Sequence, residues 1–266
     1  MTVGLGAGLE WSRVFFIDRG RLFLRVMEAL WERGREEAAG ITNALRKHGV
    51  EGGVLLDLMC GIGRVSIPLA EMGYRVLGVD FSPIYIEYAR RKASELGARA
   101  EFMECDVRRI ATALKGMVFD AVVWNWTSIG YYSRETDISI LKQALELTRE
   151  GGLLVLSNTA SRDILVERIT PRHFEEFDST IVLHWVSFDP ISGRLRDTWR
   201  FYEKRGLDLK YLGEADVDLR VYTATEVIEM LEEAGWSFEA AYSSLSDLTP
   251  YELKAPLNIV ARKQRL

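Results

Sequence analysis

One stretch, Val54-Leu-Leu-Asp57-Leu-Met59-Cys60-Gly61-Ile-Gly63-Arg64, with Val76-Leu-Gly-Val-Asp80 after it, leaves this chain few folds to choose from. An apolar run short enough for a buried strand ends in an acid and a glycine turn. A helix-like segment follows, and then a second apolar run that also ends in an acid. That is the layout of a βαβ nucleotide site. Glycines let the backbone approach a ligand with no Cβ in the way. A helix starting near Arg64 offers unpaired N–H groups to a negatively charged group. Asp80 closes the second strand about 20 residues on, where a carboxylate can take both ribose hydroxyls.

Two features separate this pattern from a dinucleotide site. The dinucleotide fingerprint wants a third glycine, and the position three after Gly63 is Ser66. Asp57 also stands at the strand end where a pyrophosphate would lie, and it would repel one. A ligand carrying an ammonium and a sulfonium tolerates or favours that acid, and S-adenosylmethionine carries both.

The chain resembles the class I S-adenosylmethionine-dependent methyltransferases from about Leu22 to Arg262. The segment around Asp57-Leu-Met59-Cys60-Gly61-Ile-Gly63 is similar to the family's first motif, with Met59 where glycine or proline is usual. Glu104-Cys105-Asp106-Val107 resembles the motif after the third strand. Trp124-Asn125-Trp126-Thr-Ser128-Ile-Gly130-Tyr131-Tyr132 resembles the fourth-strand motif of small-molecule members, including the sugar-amine N-methyltransferases. Glu150-Gly151-Gly152 matches the turn into the fifth strand. The resemblance implies a Rossmann-like, doubly wound α/β fold with a seven-stranded sheet, its last strand antiparallel. It also implies S-adenosyl-L-methionine as cofactor.

Alternation along the chain agrees. Strands are expected at 54–58, 75–80, 100–105, 118–124 and 152–158, with helices at 63–72, 84–96, 107–114 and 135–149. Such alternation implies parallel strands and right-handed crossovers. Residues 1–50 read as a loose glycine-rich start followed by helices, either packed against the sheet edge or, as the resemblance implies, a lid over the cofactor. Residues 51–160 and 223–266 form the cofactor-binding domain. Between them, 161–222 is an inserted antiparallel β-meander, dense in aromatics, either a roof over the substrate or a dimer contact. Residues 160–178 read as helical or irregular, and extended segments start at Ser179. A helix follows from about Thr225, with Thr223 or Thr225 as its cap.

For the cofactor the candidates are Asp57, Met59, Cys60, Gly61, Gly63, Asp80, Phe81, Cys105, Asp106, Val107 and Asn125. By the resemblance, Asp80 takes the ribose hydroxyls, Phe81 lies along the adenine, Asp106 accepts from the adenine amino group and Val107 packs on the base. Asn125 or Ser128 is placed to orient a nucleophile, with His184 as a candidate base. Trp126, Tyr132, His173, Arg220 and Tyr222 are the substrate candidates. Histidines and cysteines lack ligand spacing, so no metal is expected.

Composition narrows the partners. A net charge of −5 argues against a nucleic-acid surface, and the basic clusters at Arg90-Arg91-Lys92 and Arg108-Arg109 read as solvated helix faces. Cys60 and Cys105 would sit about 10 Å apart on strands one and three, too far for a disulfide. Two free thiols, no leader and no membrane-length apolar run together point to the cytoplasm. Only two glutamines and four asparagines occur, a composition reported for heat-adapted proteins. The leading expectation is transfer of a methyl group to a nitrogen or oxygen of a small molecule, by a monomer or homodimer. The alternatives are a methyltransferase acting on tRNA or protein, a non-catalytic binder of S-adenosylmethionine or S-adenosylhomocysteine, and, least supported, a nicotinamide reductase.

Overall fold

The computed structural model describes residues 11–126 and 128–265; the glycine-rich first ten residues, where the sequence places the start of the lid, lie outside them. After one wide turn at Val14–Asp18 come α1 (Gly20–Ala29) and α2 (Arg33–Lys47). The alternating core then runs β1 (Val54–Leu58), α3 (Ser66–Glu71), β2 (Arg75–Asp80), α4 (Pro83–Leu96), β3 (Ala100–Glu104), α5 (Ile110–Ala113), β4 (Phe119–Asn125), α6 (Arg134–Leu147) and β5 (Thr148–Thr159). These five strands are parallel, in the order β3-β2-β1-β4-β5. Both faces are covered by helices, which is why β1 and β2 read as near-continuous apolar runs. On one face Leu56, Val79 and Val122 pack with Ile138 and Leu141 of α6. On the other, Leu55, Val76 and Val123 pack with Ile41 and Leu45 of α2.

The helix expected over 63–72 is shorter. Gly61 and Gly63 hold φ of 56° and 77°, so no right-handed helix runs through them, and α3 begins at Ser66. A Cβ on Gly63 would lie 2.7 Å from the Phe102 ring. This glycine therefore seats the loop against β3 rather than making room for a ligand. Gly63→Ala is expected to cost about 2–4 kcal/mol, from the left-handed backbone and the overlap together. Urea denaturation checks this, and a midpoint unchanged from the parent would remove the packing role.

A second sheet is inserted after α7 (Arg162–Arg168): β6 (Arg172–Phe177), β7 (Thr180–Asp189), β8 (Arg194–Arg205) and β9 (Asp208–Arg220), antiparallel throughout. The sequence reading begins this meander at 179 and misses β6. The strand Arg-His-Phe-Glu-Glu-Phe is exposed along nearly its whole length, so no apolar alternation marks it. It is a strand because β7 offers it a ladder of hydrogen bonds.

The chain returns through α8 (Ala224–Glu233), which Thr223 caps reciprocally with Glu226, to β10 (Ser237–Ser244), β11 (Thr249–Pro250) and β12 (Leu257–Arg262). The last strand inserts antiparallel between β5 and β10, as expected. The sheet has eight strands rather than seven, because Thr249–Pro250 adds a two-residue edge beside β10.

Candidate functional site

A cavity of about 310 Å³ opens at the carboxyl ends of β1, β2 and β4, where ligands bind in open α/β sheets. Asp57, Asp80 and Asn125 come to it from those strand ends. The glycine turn adds Met59, Cys60, Gly61 and Arg64, and the loop after β4 adds Trp126, Ser128, Tyr131 and Tyr132. Two further walls come from far along the chain. Trp11, Phe15, Phe16, Phe23 and Met27 belong to the N-terminal segment, and Trp199, Val217 and Leu219 to the inserted sheet.

Asp80 is the best-ordered acid of the site. One carboxylate oxygen accepts from the Gly61 N–H at 3.0 Å, the other from the Ser82 N–H at 2.9 Å. Burial nevertheless raises its pKa to about 6, the backbone N–H groups pulling the other way. Asp57 is buried too, accepts from the Ser66 hydroxyl at 2.5 Å, and is raised to about 7, again chiefly by burial. Two buried carboxylates side by side fit a cationic ligand and oppose a pyrophosphate. The lining cation, Arg64, is already neutralised: its guanidinium makes paired bonds of 2.9 and 2.8 Å to Glu37 of α2 and lies 4.8 Å over the Trp126 ring. These donors and acceptors suit a ribose-bearing cation. Met59 and Trp126 hold φ of 54° and 64°, left-handed for non-glycine residues, and both face this cavity.

The N-terminal segment is tied down over the glycine turn. The Ser82 hydroxyl donates to the Phe16 carbonyl at 2.9 Å and the Tyr85 hydroxyl to the Gly20 carbonyl at 3.1 Å. In α2 the backbone of Gly34 lies so close to Arg64 that an added Cβ would meet the Arg64 carbonyl oxygen at 2.0 Å. Arg25 donates to Thr180 at 2.9 Å and pairs with Glu203, joining α1 to the inserted sheet.

Several candidates from the sequence are placed otherwise. The Asn125 amide nitrogen donates to Glu37 at 2.8 Å and its oxygen accepts from Ser157 at 2.7 Å. The Ser128 hydroxyl accepts from the Trp124 indole at 2.9 Å. Both line the cavity, and these bonds fix its wall. Cys105, Asp106 and Val107 do not line the cavity. Asp106 caps the following turn through the Arg108 N–H and pairs with the Arg108 guanidinium. Burial pushes its carboxyl up, but that guanidinium holds it below the usual carboxylate range.

Arg220 and Tyr222 also stay outside. Arg220 pairs with Glu226, and the Tyr222 hydroxyl donates to buried Asp137 at 2.9 Å. His173 is exposed on β6, stacked on His184 with centroids 4.5 Å apart. His184 is buried in the inserted sheet and bonded to Asp197 at 2.8 Å, so it is not at hand as a base for a ligand in the cavity. The sequence reading missed Trp11, Phe15, Phe16, Phe23, Arg64 and Glu37. Only helical spacing marks the aromatics, and nothing local marks the Glu37–Arg64 pair. Cys60 and Cys105 are both free thiols. Among the described residues, no helix is long and apolar enough to cross a membrane and no group of side chains could hold a metal ion.

Residues 55–152 match the model of the methyltransferase domain family. The Bacillus subtilis protein YqeM, which carries a methyltransferase name with no acceptor stated, is 29% identical over 219 residues, 81% of this chain and 86% of its own length. A S-adenosylmethionine-dependent methyltransferase from Clostridium acetobutylicum has the same fold, with a TM-score of 0.75 at 14% identity over 86% of this chain and 92% of that one. CalS10, an amino pentose methyltransferase from Micromonospora echinaspora, gives a TM-score of 0.67 at 20% identity over 88% of this chain and 94% of that one.

Proposed function

We propose that the chain is a class I S-adenosylmethionine-dependent methyltransferase that moves the methyl group to a nitrogen or oxygen of a small molecule by in-line displacement. The observation that carries this reading is the aromatic cavity walled by the N-terminal segment and the inserted sheet, directly above Asp57 and Asp80. Bound there, S-adenosylmethionine supplies a methyl group already activated on sulfur, so the protein's part is alignment and exclusion of water.

In this reading Asp80 holds the ribose hydroxyls, its carboxylate oriented by the Gly61 and Ser82 N–H groups. Phe81 lies along the adenine, and Asp57 sits at the cationic end. Met59, Cys60 and Gly61 shape the turn beneath, and Gly63 holds that turn on β3. Cys105, Asp106 and Val107 stand at the adenine rim. Asn125 keeps Glu37 and Arg64 in place and so fixes the floor below Trp126 and Tyr132. The N-terminal helices serve as the lid, and 161–222 roofs the acceptor.

Nitrogen is the better-supported nucleophile. A neutral amine attacks without prior loss of a proton, whereas a hydroxyl needs a base at the reacting atom. Among the described lining residues the carboxylates belong to the cofactor end. The similarity of fold to CalS10, whose name gives an amino pentose as acceptor, points the same way. Labelled S-adenosylmethionine offered with a panel of small amines and phenols, and separately with bulk tRNA and with protein, tests the reading. Label is expected in the amines; incorporation into tRNA or protein alone would overturn the small-molecule acceptor.

A further inference from the structure

Among the described residues, the walls of the cavity divide by chemistry as well as by origin. Its polar side chains, Asp57, Arg64, Asp80, Asn125 and Ser128 among them, come from the strand ends and the segments that follow them. The N-terminal segment brings four aromatic rings and one methionine, and the inserted sheet brings Trp199, Val217 and Leu219. The three sheet residues share one face: Trp199 stands opposite Ala215, and Val217 and Leu219 lie two and four residues further along β9. Two segments far apart in sequence thus close over one space, and neither contributes a hydroxyl, an amide or a charge to it. The indoles are no exception. The Trp11 N–H donates to the Tyr131 carbonyl at 3.3 Å, and the Trp199 nitrogen is itself buried, on a ring packed edge-on against His184. A ligand on this side therefore meets carbon and one thioether sulfur.

The rings also impose a shape. Trp199 meets Phe15 at 5.4 Å and 86° and Phe23 at 5.7 Å and 70°, and the two phenylalanines meet at 5.2 Å and 60°. Each contact is edge to face, the arrangement that ring quadrupoles favour, and a flat aromatic guest continues it. The cofactor reading gives the strand-end side to S-adenosylmethionine, which leaves the apolar side to the acceptor. A hydroxyl brought against such a wall gives up its water and gains no partner, at about tenfold or more in affinity for each one. An apolar ring is drawn there by the exclusion of water alone.

We propose that the acceptor is an amine carried on an apolar aromatic ring, and that Phe15, Phe23, Trp199, Val217 and Leu219 select it against hydroxylated rings. The proposal rests on the methyltransferase reading of the cavity and names the acceptor's class. In the transfer, the lone pair of the neutral amine forms the N–C bond as the C–S bond breaks. The electron pair of that bond stays on the sulfur of S-adenosylhomocysteine, and the methylated ammonium yields its extra proton to water.

The test compares benzylamine, 3,5-dihydroxybenzylamine and glucosamine as acceptors of label from S-adenosylmethionine, with cofactor affinity measured calorimetrically on the same samples. In kcat/KM the wild type is expected to favour benzylamine over its dihydroxy form by about tenfold or more, and over glucosamine by about a hundredfold or more. Val217→Thr keeps the side chain's shape and adds a hydroxyl to the wall, so it should narrow the first gap about threefold or more. Trp199→Leu, a second reading if the first variant folds poorly, should raise the KM for benzylamine about tenfold and leave the cofactor Kd unchanged. Equal or better use of either hydroxylated amine overturns the proposal, as does cofactor binding with transfer to none of the three. A preference that neither substitution alters overturns it too, since these side chains would then serve only to pack the lid. Absence of cofactor binding in the wild type would instead sink the proposed function.

Discussion

Asp80→Ala is expected to weaken S-adenosylmethionine binding by at least about a hundredfold, because two hydrogen bonds from ribose hydroxyls to an ionised, buried carboxylate contribute about 1.5–3 kcal/mol each. The substitution also strands the Gly61 and Ser82 N–H groups, which now donate to that carboxylate at 3.0 and 2.9 Å. The turn that supports the ligand is therefore loosened at the same time. Asp80→Asn keeps one oxygen acceptor and should lie between the two. Calorimetric titration of the three proteins distinguishes these cases. Equal affinity in Asp80→Ala and the wild type would move the ribose elsewhere in the cavity.

Affinity for the same ligand is expected to fall by at least about a hundredfold between pH 8 and pH 5. Burial holds Asp57 at about 7 and Asp80 at about 6 in the free protein, so both carry protons at pH 5. A sulfonium and an ammonium require Asp57 ionised, and ribose hydroxyls donate best to an ionised Asp80. Binding below these values must expel protons, which weakens it about tenfold per pH unit for each proton released. The sign for stability is the opposite. Each acid is raised in the folded chain, so its favourable contribution is complete below the unfolded value of about 4 and is lost as pH rises through 6 to 7. The free protein thus loses stability toward neutrality, where cofactor binds best and offsets the loss. Titrations in two buffers of different ionisation enthalpy report the protons directly; a Kd flat from pH 5 to 8 would mean that neither acid meets the ligand.

The strand-end half of the cavity was legible because its residues lie close together in sequence. Asp57, Met59, Cys60 and Gly61 are one turn, and Asp80 and Phe81 end the next strand, so spacing alone brings them to one edge. The aromatic half was not, because its walls are assembled from contacts across the whole chain. Phe16 reaches the end of β2 through Ser82, 66 residues away. Glu37 holds Arg64 and Asn125 at once, and no local pattern couples those three positions. Arg220 and Tyr222 were placed at the cleft by adjacency to the meander's end. Tyr222 turns instead to Asp137 in the first turn of α6, a partner 85 residues distant that sequence spacing cannot reveal. Asp106 shows the reverse case: its capping contact with Arg108 lies only two residues along the chain.

The inserted sheet carries its own hydrogen-bond ladder. It joins the core at a few backbone points, among them Arg220 N–H to Gly130 and the Ser161–Tyr222 bridge. Asp57 and Asp80 belong to a different ladder, β1 with β2. Side chains on the inner face of β7 to β9 can therefore be exchanged in the course of descent without disturbing the acids beneath. A lineage built this way inherits its methyl donor and is free to change what it methylates. Divergence among its members should accumulate between residues 180 and 220, while the turn from Asp57 to Arg64 stays put.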